Sequence, residues 1–122
     1  MFLPRPFALR RDLLYLKDAI THTERVLGYV QGIDLASLPS DTMRMDAVLR
    51  NLQIIGEAVK HIPSDLRLQR PEVPWNNIAG LRNLLVHHYF GIDNDIVLDI
   101  CTNHLSPLLA ALNAISKGLP LT

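Results

Sequence analysis

In the stretch MRMDAVLRNLQIIGEAVKHI, residues 43–62, apolar side chains recur at intervals of three and four. Met45, Val48, Leu49, Leu52, Ile55, Val59 and Ile62 then fall on one stripe of a helix. A strand alternates its side chains with a period of two, so this pattern excludes a sheet and demands a second apolar face to cover the stripe. Ser40 or Asp41 is placed to cap the start, and Pro63 marks the end. The same spacing places Leu9, Leu13, Leu16, Ile20, Val26 and Leu27 on one side of a helix from about Ala8 to Val30, weakened near its end by Gly28 and Gly32. GIDLASLPSD reads as the connection.

A short helix is expected near Ser64–Gln69, with Ser64 as its cap, before RPEVP breaks the chain and restarts it. A third long helix is expected from Pro74 through Trp75 to about Phe90, where Gly91 fits a left-handed stop and Ile92 packs back on the last turn. Asp93 caps a final helix carrying Ile96, Ile100, Leu105, Leu108, Leu109, Leu112 and Ile115, with Asp95 in its first turn. Pro107 inside that helix removes one backbone donor and predicts a bend. Short connections between long amphipathic helices predict an all-α, antiparallel up-and-down bundle of four to five helices, one domain over residues 1–122.

With 12 basic and 12 acidic side chains the net charge is zero, so any binding of nucleic acid must rest on a local site. The charge is uneven. No Lys or Arg occurs from Asn83 to Ser116, where Asp93, Asp95 and Asp99 fall. Cys101 is the single cysteine, so no internal disulfide is possible, and no metal-ligand spacing surrounds it. It reads as buried filler, and neither metal nor cofactor is expected. No run approaches the ~18 apolar residues of a membrane span. Prolines in MFLPRPFALRR interrupt what a signal peptide would need, so a cytoplasmic protein without membrane contact is expected.

The segment RNLLVHHYFGID, Arg82 to Asp93, threads polar groups through core residues. At roughly 100° per residue, Trp75, Ile78, Arg82, Leu85 and Tyr89 share a stripe, and Asn76, Gly80, Asn83 and His87 form the next one. Gly80 in that stripe would let another backbone come close. A guanidinium in an apolar stripe needs a carboxylate, a phosphate or a cleft wall. His87 stands roughly 140° around from Arg82, so a second subunit or a neighbouring helix would complete a pocket between them. Such a set suffices in kind for metal-free RNA cleavage: a histidine moves protons near neutral pH, and an arginine fork holds the phosphate and its developing charge. The structural alternative stays open. Arg82 would then pair with a buried Glu57, the histidines would gain from the helix dipole, and Tyr89 would bond a loop carbonyl. His88 falls with Leu81 and Leu84, and Glu57 with His61 is spaced as a helix-surface pair.

RNLQIIGEAVKHI (Arg50–Ile62), PEVPWNNIAGLRNLLVHHYFGID (Pro71–Asp93) and IVLDI (Ile96–Ile100) closely resemble the HepT-like toxins of the HEPN ribonuclease family, as does the early LRRDLLYLKDAI. The family signature, Arg, four residues, His, any residue, Tyr, is met by Arg82, His87 and Tyr89. The resemblance implies a helical homodimer whose two motifs face a shared cleft and cut RNA without a metal. It implies the toxin half of a toxin–antitoxin pair, silenced by an MntA-like nucleotidyltransferase that in some members adds AMP to the motif tyrosine. Carried over, Arg82 binds phosphate, His87 is the acid/base, Tyr89 accepts AMP, and Asn83 assists. His88 departs from the usual residue between His and Tyr, which opens a choice between His87 and His88 for proton transfer. Glu57 is a weaker candidate for orienting Arg82. The alternative function is a non-catalytic helical dimer that serves as the binding or substrate subunit of a nucleotidyltransferase.

Overall fold

Two helices bury the stripe read from residues 43–62. In the computed structural model, which describes residues 6–81, 83 and 93–119, α1 (Pro6–Val30) packs against α2 (Thr42–Lys60). All seven stripe residues of the second helix, Met45 to Ile62, are buried, and Val48, Leu52, Ile55 and Val59 are completely so. On α1, Leu16, Ala19 and Val26 face them, with Ile20 and Leu27 at the edge of the core. The final helix, α6 (Leu105–Gly118), closes the other side of α1 with Leu105, Leu108, Leu112 and Ile115. The all-helical bundle is therefore the observed fold, and no strand occurs among the described residues.

The turns follow from local chemistry. Gly32 adopts φ +76°, a left-handed conformation that stops α1 at low steric cost. The connection is more ordered than a plain loop. Asp34 accepts from Ala36 N at 3.2 Å and starts a 3₁₀ helix over Leu35–Ser40, whose Leu38 is fully buried. Asp41, rather than Ser40, caps α2 by accepting from Arg44 N at 3.2 Å. Ser40 is held within the 3₁₀ turn, where its hydroxyl donates to Ser37 O at 2.8 Å.

Four expectations are corrected. α3 is shorter than expected, Ser64–Arg67, and Ser64 does not cap it. Pro63, in extended conformation, flanks the helix instead, so Ser64 lies within the first turn. Pro74 likewise stands outside α4 (Trp75–Ala79), as its flanking residue, and α4 closes at Gly80. One unbroken helix from Pro74 to Phe90 is thus not what the chain forms, although Leu81 and Asn83 are again helical.

The final helical region divides into α5 (Asn94–Asp99), a π-helical turn over Ile100–His104, and α6. Asp93 caps α5 through bonds from Asp95 N at 3.0 Å and Ile96 N at 3.3 Å, as the sequence predicts. The irregularity expected from Pro107 lies in the turn before it. Pro107 has no N–H for the Asn103 carbonyl, and its ring crowds that turn. The wider π turn sits there, with Leu105 N donating back five residues to Ile100 O.

Because Leu52 contributes entirely buried surface at the α1–α2 contact, Leu52→Ala should lower the free energy of unfolding by about 2–5 kcal/mol. Asp41→Ala, which removes one capping bond, should cost only about 1 kcal/mol. Urea denaturation of both variants tests the order, and equal losses would contradict it.

Candidate functional site

The approach to the Arg82–Asp93 segment is built by a pinned loop. The Trp75 indole Nε1–H donates to Arg70 O at 2.9 Å, and its ring is largely buried. This bond ties the Arg70–Pro74 loop to the first turn of α4, which packs on α2. Gly80 N donates to Asn76 O at 3.0 Å, yet Gly80 turns to ψ −1° and α4 ends. Glycine is a poor helix former, so a break at this position has a local cause. The single wheel that aligned Trp75 and Ile78 with Arg82 does not run unbroken through Gly80. Among the described residues, a Cβ on Gly80 would meet only the Asn76 and Asn77 carbonyl oxygens, at 3.4 and 3.6 Å; no other element makes use of the space.

Past that turn, Leu81 returns to the core and Asn83 is exposed. Arg82, His87, His88 and Tyr89, with the expected Gly91 stop and Ile92 contact, lie outside the described residues. Glu57 is half-exposed on α2 rather than buried. Its Oε1 lies 3.4 Å from His61 Nε2, which is the surface pair expected from their spacing. The His61 ring also stacks on Tyr15 of α1, centroids 4.5 Å apart and planes 17° from parallel. Nothing in the sequence marks that stack, since it joins residues distant in the chain.

A second polar cluster lies on the π turn. Asp99 Oδ1 accepts from Asn103 Nδ2 at 2.6 Å, and Asp99 Oδ2 lies 3.1 Å from His104 Nε2. In an α-helix, residues five apart do not face one another; the π turn brings Asp99 and His104 onto one side. Sequence reading missed His104 for that reason, as an α-helical wheel separates it from Asp99; Asn103, four residues on, shares the Asp99 face of such a wheel and was not singled out. The bond from Asn103 holds the Asp99 carboxyl below its ordinary range, assisted by His104 and opposed by partial desolvation. Next in the chain, burial pushes the Cys101 thiol up to about 11, in keeping with filler rather than nucleophile. Among the described residues no group of three His, Cys, Asp or Glu side chains is placed to hold a metal, and no helix is long and apolar enough to cross a membrane.

Comparison with known proteins settles the family. The model of the family described as "Ribonuclease HepT-like" matches residues 19–115, most of the chain and all of the Arg82–Tyr89 segment. The chain belongs to the HepT-like family. Among its relatives is "Putative RNase MJ0127" of Methanocaldococcus jannaschii, 33% identical over 105 residues that cover 86% of this chain and 87% of that one. Another is "Probable ribonuclease HepT" of Thermococcus cleftensis, 39% identical over 79 residues, 65% of this chain and 72% of the relative. A third, "Putative RNase TTE0752" of Caldanaerobacter subterraneus, is 35% identical over 94 residues, 77% of this chain and 84% of the other. No solved structure matches significantly.

A folded-state pKa below the unfolded one means that the Asp99 contribution to stability is present above the unfolded pKa and is lost as pH falls through the folded one. Carboxyl chemical shifts followed by NMR should therefore show Asp99 titrating below the ordinary 3.8. Asn103→Ala should raise that midpoint, since the Asn103 bond is the largest cause of the shift. A midpoint unmoved by the substitution would contradict the assignment.

Proposed function

We propose that this HepT-like chain is a ribonuclease that cuts RNA through Arg82 and His87 without a metal, acting as the toxin of a toxin–antitoxin pair. The observation that carries the proposal is the family match over residues 19–115, within which Arg82, His87 and Tyr89 stand at the spacing of the motif. Relatives named as ribonucleases support the same direction.

In this mechanism His87 takes the proton of a ribose 2′-hydroxyl as its oxygen attacks the adjacent phosphorus. The bond from phosphorus to the 2′-oxygen forms, that to the 5′-oxygen breaks, and the leaving oxygen takes up a proton. Arg82 supplies a fixed, planar donor fork for the phosphoryl oxygens, whose charge rises in the transition state. Asn83, exposed beside Arg82 in sequence, adds a neutral donor. His88 is a support for the segment rather than the proton carrier. Glu57, already engaged by His61, has at most an orienting part.

Two copies of the chain, each contributing one motif, form the working unit in the cytoplasm. Tyr89 is the off-switch: a partner nucleotidyltransferase attaches AMP to its hydroxyl, adding bulk and negative charge next to the phosphate-binding arginine.

Purified protein with EDTA present should cleave single-stranded RNA, and His87→Ala and Arg82→Ala should each lower the rate about 10²–10⁴-fold. His88→Ala should retain most of the activity. Equal rates in the wild type and His87→Ala, both folded by circular dichroism, would remove His87 from the chemistry.

A further inference from the structure

Two depressions meet at the loop and helix that lead into the motif. One, about 520 Å³, is lined by Ser64, Arg67 and Trp75; the other, about 440 Å³, lies under Gly80, Asp99 and His104. Pro74, Asn76 and Asn77 line both, so the two adjoin across the start of α4 as a groove, and the second is also lined by Leu81, the residue before Arg82. The two ends differ in chemistry.

At the first end stands a cation in search of an acceptor. Arg67 is half-buried, and its Nε is shut off from solvent with no hydrogen-bond partner among the described residues. One terminal nitrogen reaches Ser64 Oγ only at 3.5 Å, and among the described residues no carboxylate pairs with the guanidinium. The buried Nε is closed to a ligand from solvent, but Arg67 lines this depression, and a terminal nitrogen held only by the long Ser64 contact is free to pair with an anionic oxygen there. The second end is different. Its walls are apolar, from Ile78, Ile100 and Leu105, and its rim carries the Asn76 and Asn77 amides and the Asp99–His104 pair. The Asp99 carboxylate repels phosphate there, while a flat, uncharged ring with polar edges suits both walls and rim. The cavity lies in the range of small-ligand sites, about 300–1,000 Å³. Asparagine amides both donate and accept, as base-edge recognition requires.

We propose that this groove holds single-stranded RNA next to the motif, with a phosphate on Arg67 and an unpaired base in the cavity between Asn77 and His104. The assignment rests on the ribonuclease reading and adds to it a place where base preference is set. Asp99, fixed by Asn103, orients the His104 ring at the cavity mouth; neither is a catalytic residue. His104 also lines a neighbouring depression together with Arg70 and Glu72, whose opposite charges offset one another there.

Fluorescein-labelled 2′-O-methyl tetranucleotides of each base, which cannot be cut through a 2′-hydroxyl, test this directly by anisotropy in 50–200 mM salt. Arg67→Ala should weaken binding about tenfold and reduce the salt slope by about 0.7, the value for one lost phosphate contact on a single strand. Arg67→Lys, which keeps the charge, should restore the slope. The exposed pair Asn76→Ala/Asn77→Ala should shrink the spread of affinities among the four bases at least threefold. Binding and slope unchanged in Arg67→Ala, or a wild type that binds none of the probes, would overturn the proposal. So would a change in oligomeric mass on size exclusion with RNA affinity intact, which would make the groove a contact between copies. Unmodified RNA incubated with the same preparations separates the two ideas. A wild type that cuts nothing overturns the ribonuclease reading alone, whereas cutting with unaltered probe binding in the variants overturns only the groove.

Discussion

The structure depends on the burial of the α2 stripe between α1 and the loop-bound elements that follow it. Val48, Leu52, Ile55 and Val59 expose nothing to solvent. At about 1.5–3 kcal/mol for each fully buried aliphatic side chain, no polar contact among the described residues rivals them. Everything near the candidate site is set by reference to this contact: α4 packs on α2, and Glu57 and His61 project from the polar side of the same helix. A helix so fixed offers a rigid wall on which less regular segments can be hung.

Those less regular segments shape the surface around Leu81. The Trp75–Arg70 bond, the closure of α4 at Gly80 and the π turn before Pro107 each depart from ideal helix geometry, and together they border the groove that Leu81 helps to line. Regular helices bury apolar surface efficiently but leave few concave surfaces between them. A short helix, a glycine turn and a widened turn open space and bring together residues such as Asp99 and His104 that an α-helix would keep apart. π turns recur at functional sites in proteins for this reason.

The fold was legible because the apolar burial that drives it is written periodically along the chain. The spacing of Met45 to Ile62 and of Leu13 to Leu27 foretold α1 and α2, and Asp41 and Asp93 cap where their chemistry suggested. What escaped the sequence were features set by single backbone choices. Nothing in the pattern around Gly80 distinguishes a glycine carried through a helix from one that closes it. Pro107 announced an irregularity but not its form, and so concealed the Asp99–His104 contact. Pro63 and Pro74 lie one position outside their helices rather than where Ser64 and a first-turn proline would put them. The family was legible in a different way. Wheel geometry left Arg82 and His87 open between structure and catalysis, and the family pattern in the surrounding residues, matched over residues 19–115, decided the family. Glu57 shows the limit of the helical wheel: the predicted contact with His61 is present, while the side chain is half-exposed rather than buried.

The central claim, that the 2′-hydroxyl of RNA is itself the attacking group with His87 moving the proton, leaves a chemical signature in the product. Mass spectrometry of a cleaved oligoribonucleotide should find a 2′,3′-cyclic phosphate on the upstream fragment and a 5′-hydroxyl on the downstream one. A 3′-hydroxyl paired with a 5′-phosphate would mean that water attacked the phosphorus, and would contradict the account.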